Sequence, residues 1–189
     1  MTEEVAIVIF TSIDGITQHL YDADPTLPIK EVNDDALSGY GGTVEFDPSS
    51  LNPETVDTLK QAVILISEPS VVAQLLEHDA NALSSLQWCQ STYAGVDPIF
   101  NSRSISFPLS WTLTRFAGCF GPPIAEWVLA RIISHERNFE ASSKDQLNKS
   151  WAGSKESILE YRYLSSLTLT ILGCGDLEDA SGRQQKHLA

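Results

Sequence analysis

The sequence predicts an α/β protein built on a parallel β-sheet, and three observations carry that expectation. Val5-Ala6-Ile7-Val8-Ile9-Phe10 is continuously apolar rather than alternating, as in a strand covered by helices on both faces. Ala62-Val63-Ile64-Leu65-Ile66 repeats that pattern and is the most apolar run of the chain. Between and after these runs lie segments with helical spacing and clear start signals, the alternation from which parallel sheets are made.

The elements follow in order. Residues 13–22 fit a first covering helix, and 27–36 a second short helix or a loop, since Pro25 and Pro28 break its first half. Gly41-Gly42 turns the chain into a short strand around 43–46. Asn52-Pro53-Glu54 then starts a brief helix, with a cap residue followed by proline at the first helical position. After the strand at 62–66, Ser67-Glu68-Pro69-Ser70 opens a helix to about residue 84, with Val71, Val72, Leu75, Leu76 and Leu83 at near-helical spacing. Leu86-Gln87-Trp88-Cys89-Gln90 is a further strand, and residues 91–98 form the loop at its carboxyl end, the edge where open α/β sheets bind ligands. A strand near 105–107 or 111–114 closes the first domain. Gly121-Pro122-Pro123 starts a long helix over 124–140 whose apolar residues exceed one stripe, which reads as a helix packed against two neighbours. A polar stretch at 142–153 precedes the run 167–172, Leu-Thr-Leu-Thr-Ile-Leu, expected as another strand.

Composition narrows the function. The 189 residues carry 25 acids against 12 Lys and Arg, a net charge of -13, which disfavours nucleic acid and gives no general attraction for anions. Any anionic ligand must be held by local groups. No apolar run approaches the roughly 20 residues of a bilayer span, and Glu3 and Glu4 stand where a signal peptide needs positive charge, so a cytoplasmic protein is expected. Cys89, Cys119 and Cys174 are widely spaced and read as buried thiols rather than as disulfides or zinc ligands. No metal site is expected.

Gly173-Cys174-Gly175-Asp176-Leu177-Glu178 directly follows the apolar run 167–172. A strand, a tight glycine turn and a helix N-terminus together present backbone N–H groups to a pyrophosphate, so Gly173, Gly175, Asp176 and Leu177 are the candidate cofactor-binding residues. Glu178, however, replaces the third glycine of such a fingerprint. The acid that grips the ribose belongs about 20 residues further on, beyond Ala189. Residues 178–189 are almost devoid of apolar side chains and read as a disordered tail.

Three motifs in order carry a family resemblance: Gln90-Ser91-Thr92-Tyr93-Ala94-Gly95-Val96-Asp97, then Ala125-Glu126-Trp127-Val128 with His135-Glu136-Arg137, then Leu172-Gly173-Cys174-Gly175-Asp176. This sequence resembles the D-isomer-specific 2-hydroxyacid dehydrogenases, which include glyoxylate and hydroxypyruvate reductases. The resemblance implies a flavodoxin-like substrate domain over 1–107, then a crossover helix and the first strand of an incomplete Rossmann domain over 108–177. It implies that the backbone at Ala94 and Gly95 holds the substrate's carboxylate or carbonyl, and that NAD or NADP serves hydride exchange with a small 2-oxo acid. The family's catalytic Arg, Glu and His belong beyond the fingerprint, so no catalytic residue is assigned. His135 and Glu136 are poor substitutes, because adjacent helix residues do not face each other; His19, His78 and His187 have no better claim. The C-terminal helix that returns to the substrate domain in the family is unmatched too.

The expectation is therefore a C-terminally truncated relative that is inactive and binds no cofactor by itself. The alternative is a non-catalytic interaction protein that forms a homodimer, or a heterodimer with a full-length relative, through the crossover helix. A phosphoacceptor receiver domain is rejected: the run 62–66 leads to Ser67-Glu68 rather than the phosphorylated aspartate, and Thr11-Ser12 stand where paired acids are required.

Overall fold

The computed structural model describes residues 7–39, 43–151, 159–173, 175 and 178. The chain divides into two compact units, Met1–Phe116 and Ala117–Ala189.

The first unit is built on β1 (Ile7–Ile9), whose Val8 and Ile9 are both buried, so its unbroken apolar run does meet cover on both faces. Val5 and Ala6 of the expected strand lie outside the described residues. Helix α1 (Ile16–Ala23) follows, entered through Gly15 in the left-handed conformation. Residues 27–36, expected as a helix or loop, instead contain strand β2 (Ile29–Glu31), parallel to β1. Pro28 withholds the N–H a helix would need, while its carbonyl accepts from Ile7 N–H and starts the ladder. A small hairpin of β3 (Leu37–Ser38) and β4 (Glu45–Phe46) comes next, and Phe46 packs edge-on against Phe10 with ring centroids 5.8 Å apart. The Gly41-Gly42 turn lies outside the described residues.

Helix α2 (Pro53–Gln61) begins where the Asn-Pro-Glu signal placed it, although Asn52 does not cap it with its side chain. That amide donates instead to Asp34 Oδ2 at 3.0 Å. β5 (Ile64–Ser67), α3 (Pro69–His78), β6 (Trp88–Ser91), α4 (Asp97–Asn101) and β7 (Thr112–Thr114) complete the unit. Helix α3 ends six residues short of expectation because the Asp79 carboxylate takes the N–H of Asn81 at 2.9 Å, a local bond that competes with helix continuation. Leu83 remains buried without belonging to the helix.

The sheet order is β2-β1-β5-β6-β7, every neighbouring pair parallel. With the hairpin set aside this is the doubly wound order of flavodoxin-like folds, with the switch point between β1 and β5. The three apolar runs expected as parallel neighbours are β1, β5 and β6. Val8, Leu65 and Cys89 share the closed face, against which Leu59, Val71 and Val72 pack. The opposite face is less covered: Ile64 is half-buried and Trp88 is 42% exposed.

In the second unit α5 (Gly121–Glu136) is followed by α6 (Phe139–Leu147), so the expected helix over 124–140 breaks in two. The break is at Asn138, held at φ 49°, a left-handed conformation Asn tolerates better than most residues. The polar stretch expected from 142 is helical to Leu147, supported by the Glu140–Lys144 pair one turn apart at 2.7 Å. The run 167–172 is the plainest correction: no sheet pairing is made there among the described residues, and Leu172 is 92% exposed. A strand needs a neighbour to take its N–H and C=O groups, and apolar alternation alone supplies none. A 3-10 turn, Leu164–Ser166, precedes it.

Leu65 is fully buried at the centre of the sheet. Leu65→Ala is expected to lower the unfolding free energy by about 2–5 kcal/mol, read as a shift of the urea midpoint without a change of slope.

Candidate functional site

Ligands of open α/β sheets gather beyond the carboxyl ends of the strands, and the polar side chains of the first unit collect there. Glu68 is the most constrained of them. It follows β5, is fully buried, and occupies the N-cap position of α3, yet makes no side-chain cap bond to that helix. Its Oε1 reaches the loop after β1, accepting from Thr11 Oγ1 at 2.8 Å, Ser12 N at 2.9 Å and Ser12 Oγ at 2.8 Å. Register explains the geometry. Ile9 pairs with Ile66 and Ser67 with Ser91, so Thr11, Glu68 and Thr92 fall on one level just past the ladder. The positive end of α3 favours a carboxylate at that place. The other oxygen Oε2, like Ser67 Oγ and Thr92 Oγ1, is buried without a hydrogen-bond partner among the described residues.

The loop after β6 holds Ala94 and Gly95. Ser91 Oγ donates to Tyr93 O at 2.9 Å and accepts from Tyr93 N, which folds the chain back on itself before Ala94. Arg115, just past β7, donates from Nη1 to Ala94 O at 3.2 Å. Gly95 is exposed, and a Cβ there would stand 3.3 Å from Asp97 Oδ2, so an acid closely flanks the loop. The sequence alone pointed to neither Glu68 nor Arg115 for this edge. Their signals were a charged residue directly after a buried strand and one of few cations in an acidic unit.

Charge is divided unevenly between the units. Residues 1–116 carry sixteen acids and four bases, whereas 117–189 carry nine and eight. A cavity of about 350 Å³ at the carboxyl ends of β1 and β2 is lined by Thr11, Ser12, Asp14, Asn33, Asp34 and Asp35 among others. That lining has the wrong sign for a 2-oxo acid. No group of three His, Cys, Asp or Glu among the described residues is placed to hold a metal ion. Burial opposes the charge on Asp34, but hydrogen bonds from Thr55, Ala36 N–H and Asn52 outweigh it and lower its pKa below 3.8. Burial pushes the Cys89 thiol up to about 12, which makes it inert at neutral pH. Cys119, expected buried, is exposed, since its place after β7 is outside the sheet; Cys174 lies outside the described residues.

In the second unit Gly173 stands at φ +125° and Gly175 N–H donates to Glu178 Oε2 at 3.1 Å. A Cβ on Gly173 would meet Glu178 Oε1 at 2.7 Å. Asp176 and Leu177 lie outside the described residues, as does the expected tail beyond Glu178. His135 is exposed on α5, and its neighbour Glu136 is engaged by the Arg162 guanidinium, with Nε at 3.0 Å from Oε2.

No protein-family profile and no curated protein sequence matches the chain. Solved structures do. The chain is similar to a D-isomer specific 2-hydroxyacid dehydrogenase family protein from Aeromonas salmonicida, at 24% identity and TM-score 0.70, covering 97% of this chain and 50% of that one. It is similar to a D-lactate dehydrogenase from Aquifex aeolicus solved with NAD and lactic acid, at 18% identity and TM-score 0.60, covering 96% and 48%. An NADPH-dependent glyoxylate/hydroxypyruvate reductase from Sinorhizobium meliloti, solved with NADP and sulfate, aligns at 16% identity and TM-score 0.61, covering 98% and 50%. The chain thus shares the fold of D-2-hydroxyacid dehydrogenases and spans about half the length of these structures.

Two predictions follow from the geometry of the first unit. Glu68→Ala leaves the Thr11 and Ser12 donors unmatched and is expected to cost on the order of 3 kcal/mol in urea unfolding, with Glu68→Gln costing less because it keeps an acceptor. Because the folded pKa of Asp34 is depressed, its contribution to stability is present above pH 3.8 and lost as pH falls through the lower folded value. Asp34→Asn should flatten the acid limb of melting temperature against pH in that window.

Proposed function

We propose that the chain derives from NAD(P)-dependent oxidoreductases that interconvert 2-oxo acids and D-2-hydroxy acids, with glyoxylate-like and hydroxypyruvate-like compounds as the substrate class. The observation that carries this reading is the extent of the likeness, 97% of the chain at TM-score 0.70. The order of motifs supports it: a glycine loop after the fourth parallel strand of the sheet, a long helix, then a glycine turn. Ala94 and Gly95 are the proposed contacts for the carboxylate of the oxo acid, and Arg115, held on Ala94 O, is the nearby cation that favours an anion in an otherwise acidic unit. The cytoplasm is the proposed compartment; no described helix is long and apolar enough to cross a membrane.

Among the described residues, Gly173, Gly175 and Glu178 do not fit a dinucleotide. A Glu178 oxygen already accepts from Gly175 N–H, and no sheet pairing is made by 167–172 among the described residues. We accordingly propose that this 189-residue chain, by itself, turns over no 2-oxo acid. The reading as an interaction protein is the lesser one. Its support is α5, where Trp127 is 63% exposed with the Arg131 guanidinium 5.6 Å above its ring.

Calorimetric titration of the chain with NADH and an absorbance assay of NADH consumption with glyoxylate and hydroxypyruvate test the proposal. The contacts left at Gly173 and Gly175 must offset an association cost of at least about 4 kcal/mol, so no saturable micromolar binding and no turnover above the uncatalysed rate are expected. Either one, if observed, sinks the proposal.

A further inference from the structure

Glu68 is a buried carboxylate whose charge the chain answers on one side only. Three donors converge on Oε1 from Thr11 and Ser12, as on an ionised carboxylate, while Oε2 is buried and receives none among the described residues. The described ion pairs join Lys60 to Asp79, Lys144 to Glu140 and Arg162 to Glu136, and none of them reaches Glu68. A charge taken out of water needs a counter-charge or coordination, so an acid held in this way calls for a cation.

Two more oxygens of the same kind stand on the same side of the sheet. Thr11, Glu68 and Thr92 come three residues after Val8, Leu65 and Cys89, so with Glu68 still extended at ψ 139° they face away from the closed core. The ladder runs to that level, because Thr92 N–H donates to Ser67 O at 3.0 Å. Glu68 and Thr92 are therefore neighbours across the strand ends, and Thr92 Oγ1 is buried without a partner among the described residues. β1 to β2 runs one way along the sheet and each later crossover the other, so right-handed connections set α1 on this side, opposite α2 and α3. The first turn of α1 starts at the same edge and brings Thr17 Oγ1, also buried and without a partner among the described residues. Ser67 Oγ, by the same parity, faces the closed core and does not belong to the group.

We infer that Glu68 Oε2, Thr92 Oγ1 and Thr17 Oγ1 form a site for a monovalent metal cation of the sodium or potassium class, which ties the loop after β1 to the loop after β6. One carboxylate matches one positive charge, and the hydroxyls add neutral, hard oxygen donors. A divalent ion draws on more carboxylates than this corner offers, in keeping with the lack of a three-membered acid, His or Cys group among the described residues. A water molecule satisfies the same hydroxyls but leaves the charge unpaired. The surroundings favour uptake, since sixteen acids against four bases in residues 1–116 draw cations toward the unit. Thr92 precedes Ala94 by two residues, so an ion held there also steadies the base of that loop, whatever the loop binds.

The test measures urea midpoints of the full chain as sodium or potassium chloride replaces tetramethylammonium chloride at constant ionic strength, the larger cation being too bulky for a buried site. The wild-type midpoint should rise saturably, with the ratio of unfolded to folded chain falling about elevenfold at ten times the half-saturating concentration. Glu68→Gln should lose this dependence, and Glu45→Gln, which removes an exposed charge from the same unit, should keep it. Thr92→Val should raise the half-saturating concentration by at least about tenfold. It should not lower the midpoint in tetramethylammonium, because the hydroxyl it removes has no partner to lose among the described residues. Broadening of the ²³Na resonance by the folded wild type, reduced with Thr92→Val, reports the ion directly and decides the matter if Glu68→Gln does not fold. Equal midpoints in all three salts overturn the inference and leave a water molecule at Oε2. A wild-type cation dependence retained by Glu68→Gln or Thr92→Val overturns it too, since general accumulation of cations around an acidic unit is then the cause.

Discussion

The first unit depends on one buried carboxylate. Glu68 lies between β5 and α3, at the N-cap of that helix, and its Oε1 gathers both side chains and backbone of the loop that leaves β1. β1 and β5 are the pair between which the chain changes direction along the sheet, and connections diverging from there leave a gap at the strand ends. A fully buried acid in that gap gives the divergent loops a common acceptor. Doubly wound proteins commonly keep a ligand in that gap, and here the buried Glu68 carboxylate lies in it. The polar space that remains lies beside it, toward β2 and the aspartates.

The sheet was legible because it rests on length and unbroken apolarity. β1, β5 and β6 need cover on at least one face, and runs such as Ile64-Leu65-Ile66 state this without any knowledge of their partners. β2 was not legible: Ile29-Lys30-Glu31 has one apolar residue, and its conformation is fixed by pairing with β1 rather than by its own preference. The end of α3 and the break at Asn138 were missed for a related reason. Each depends on one side chain or one backbone angle, which hydrophobic periodicity does not record. The run 167–172 shows the converse error, in which a strand-like pattern was read as a strand although pairing, not pattern, makes one.

At the candidate site, glycines were easier to find than the charged groups that act beside them. Gly95, Gly173 and Gly175 stand out as punctuation after apolar runs, whereas Arg115 lies twenty residues after Gly95 in sequence and reaches Ala94 only because β7 lies next to β6. Glu178 was visible as a departure from the fingerprint. What the sequence could not show was that its side chain turns back onto Gly175 rather than outward to water.

The two margins of the sheet also bear on how the protein keeps to itself. β2 and β7 are edge strands, and an unpaired edge is a template on which another chain can add a strand and continue the sheet. Both are only three residues long, too short for a durable foreign pairing. β2 places Lys30 and Glu31 on its margin, with Lys30 Nζ tethered to Thr58 Oγ1 at 2.8 Å, and β7 spends one hydroxyl, Thr114 Oγ1, on Gln90 and Trp88 within the sheet. Arg115 directly after β7 would have to be stripped of water by any incoming strand. Brevity and polar margins thus guard a half-covered sheet against indefinite self-extension.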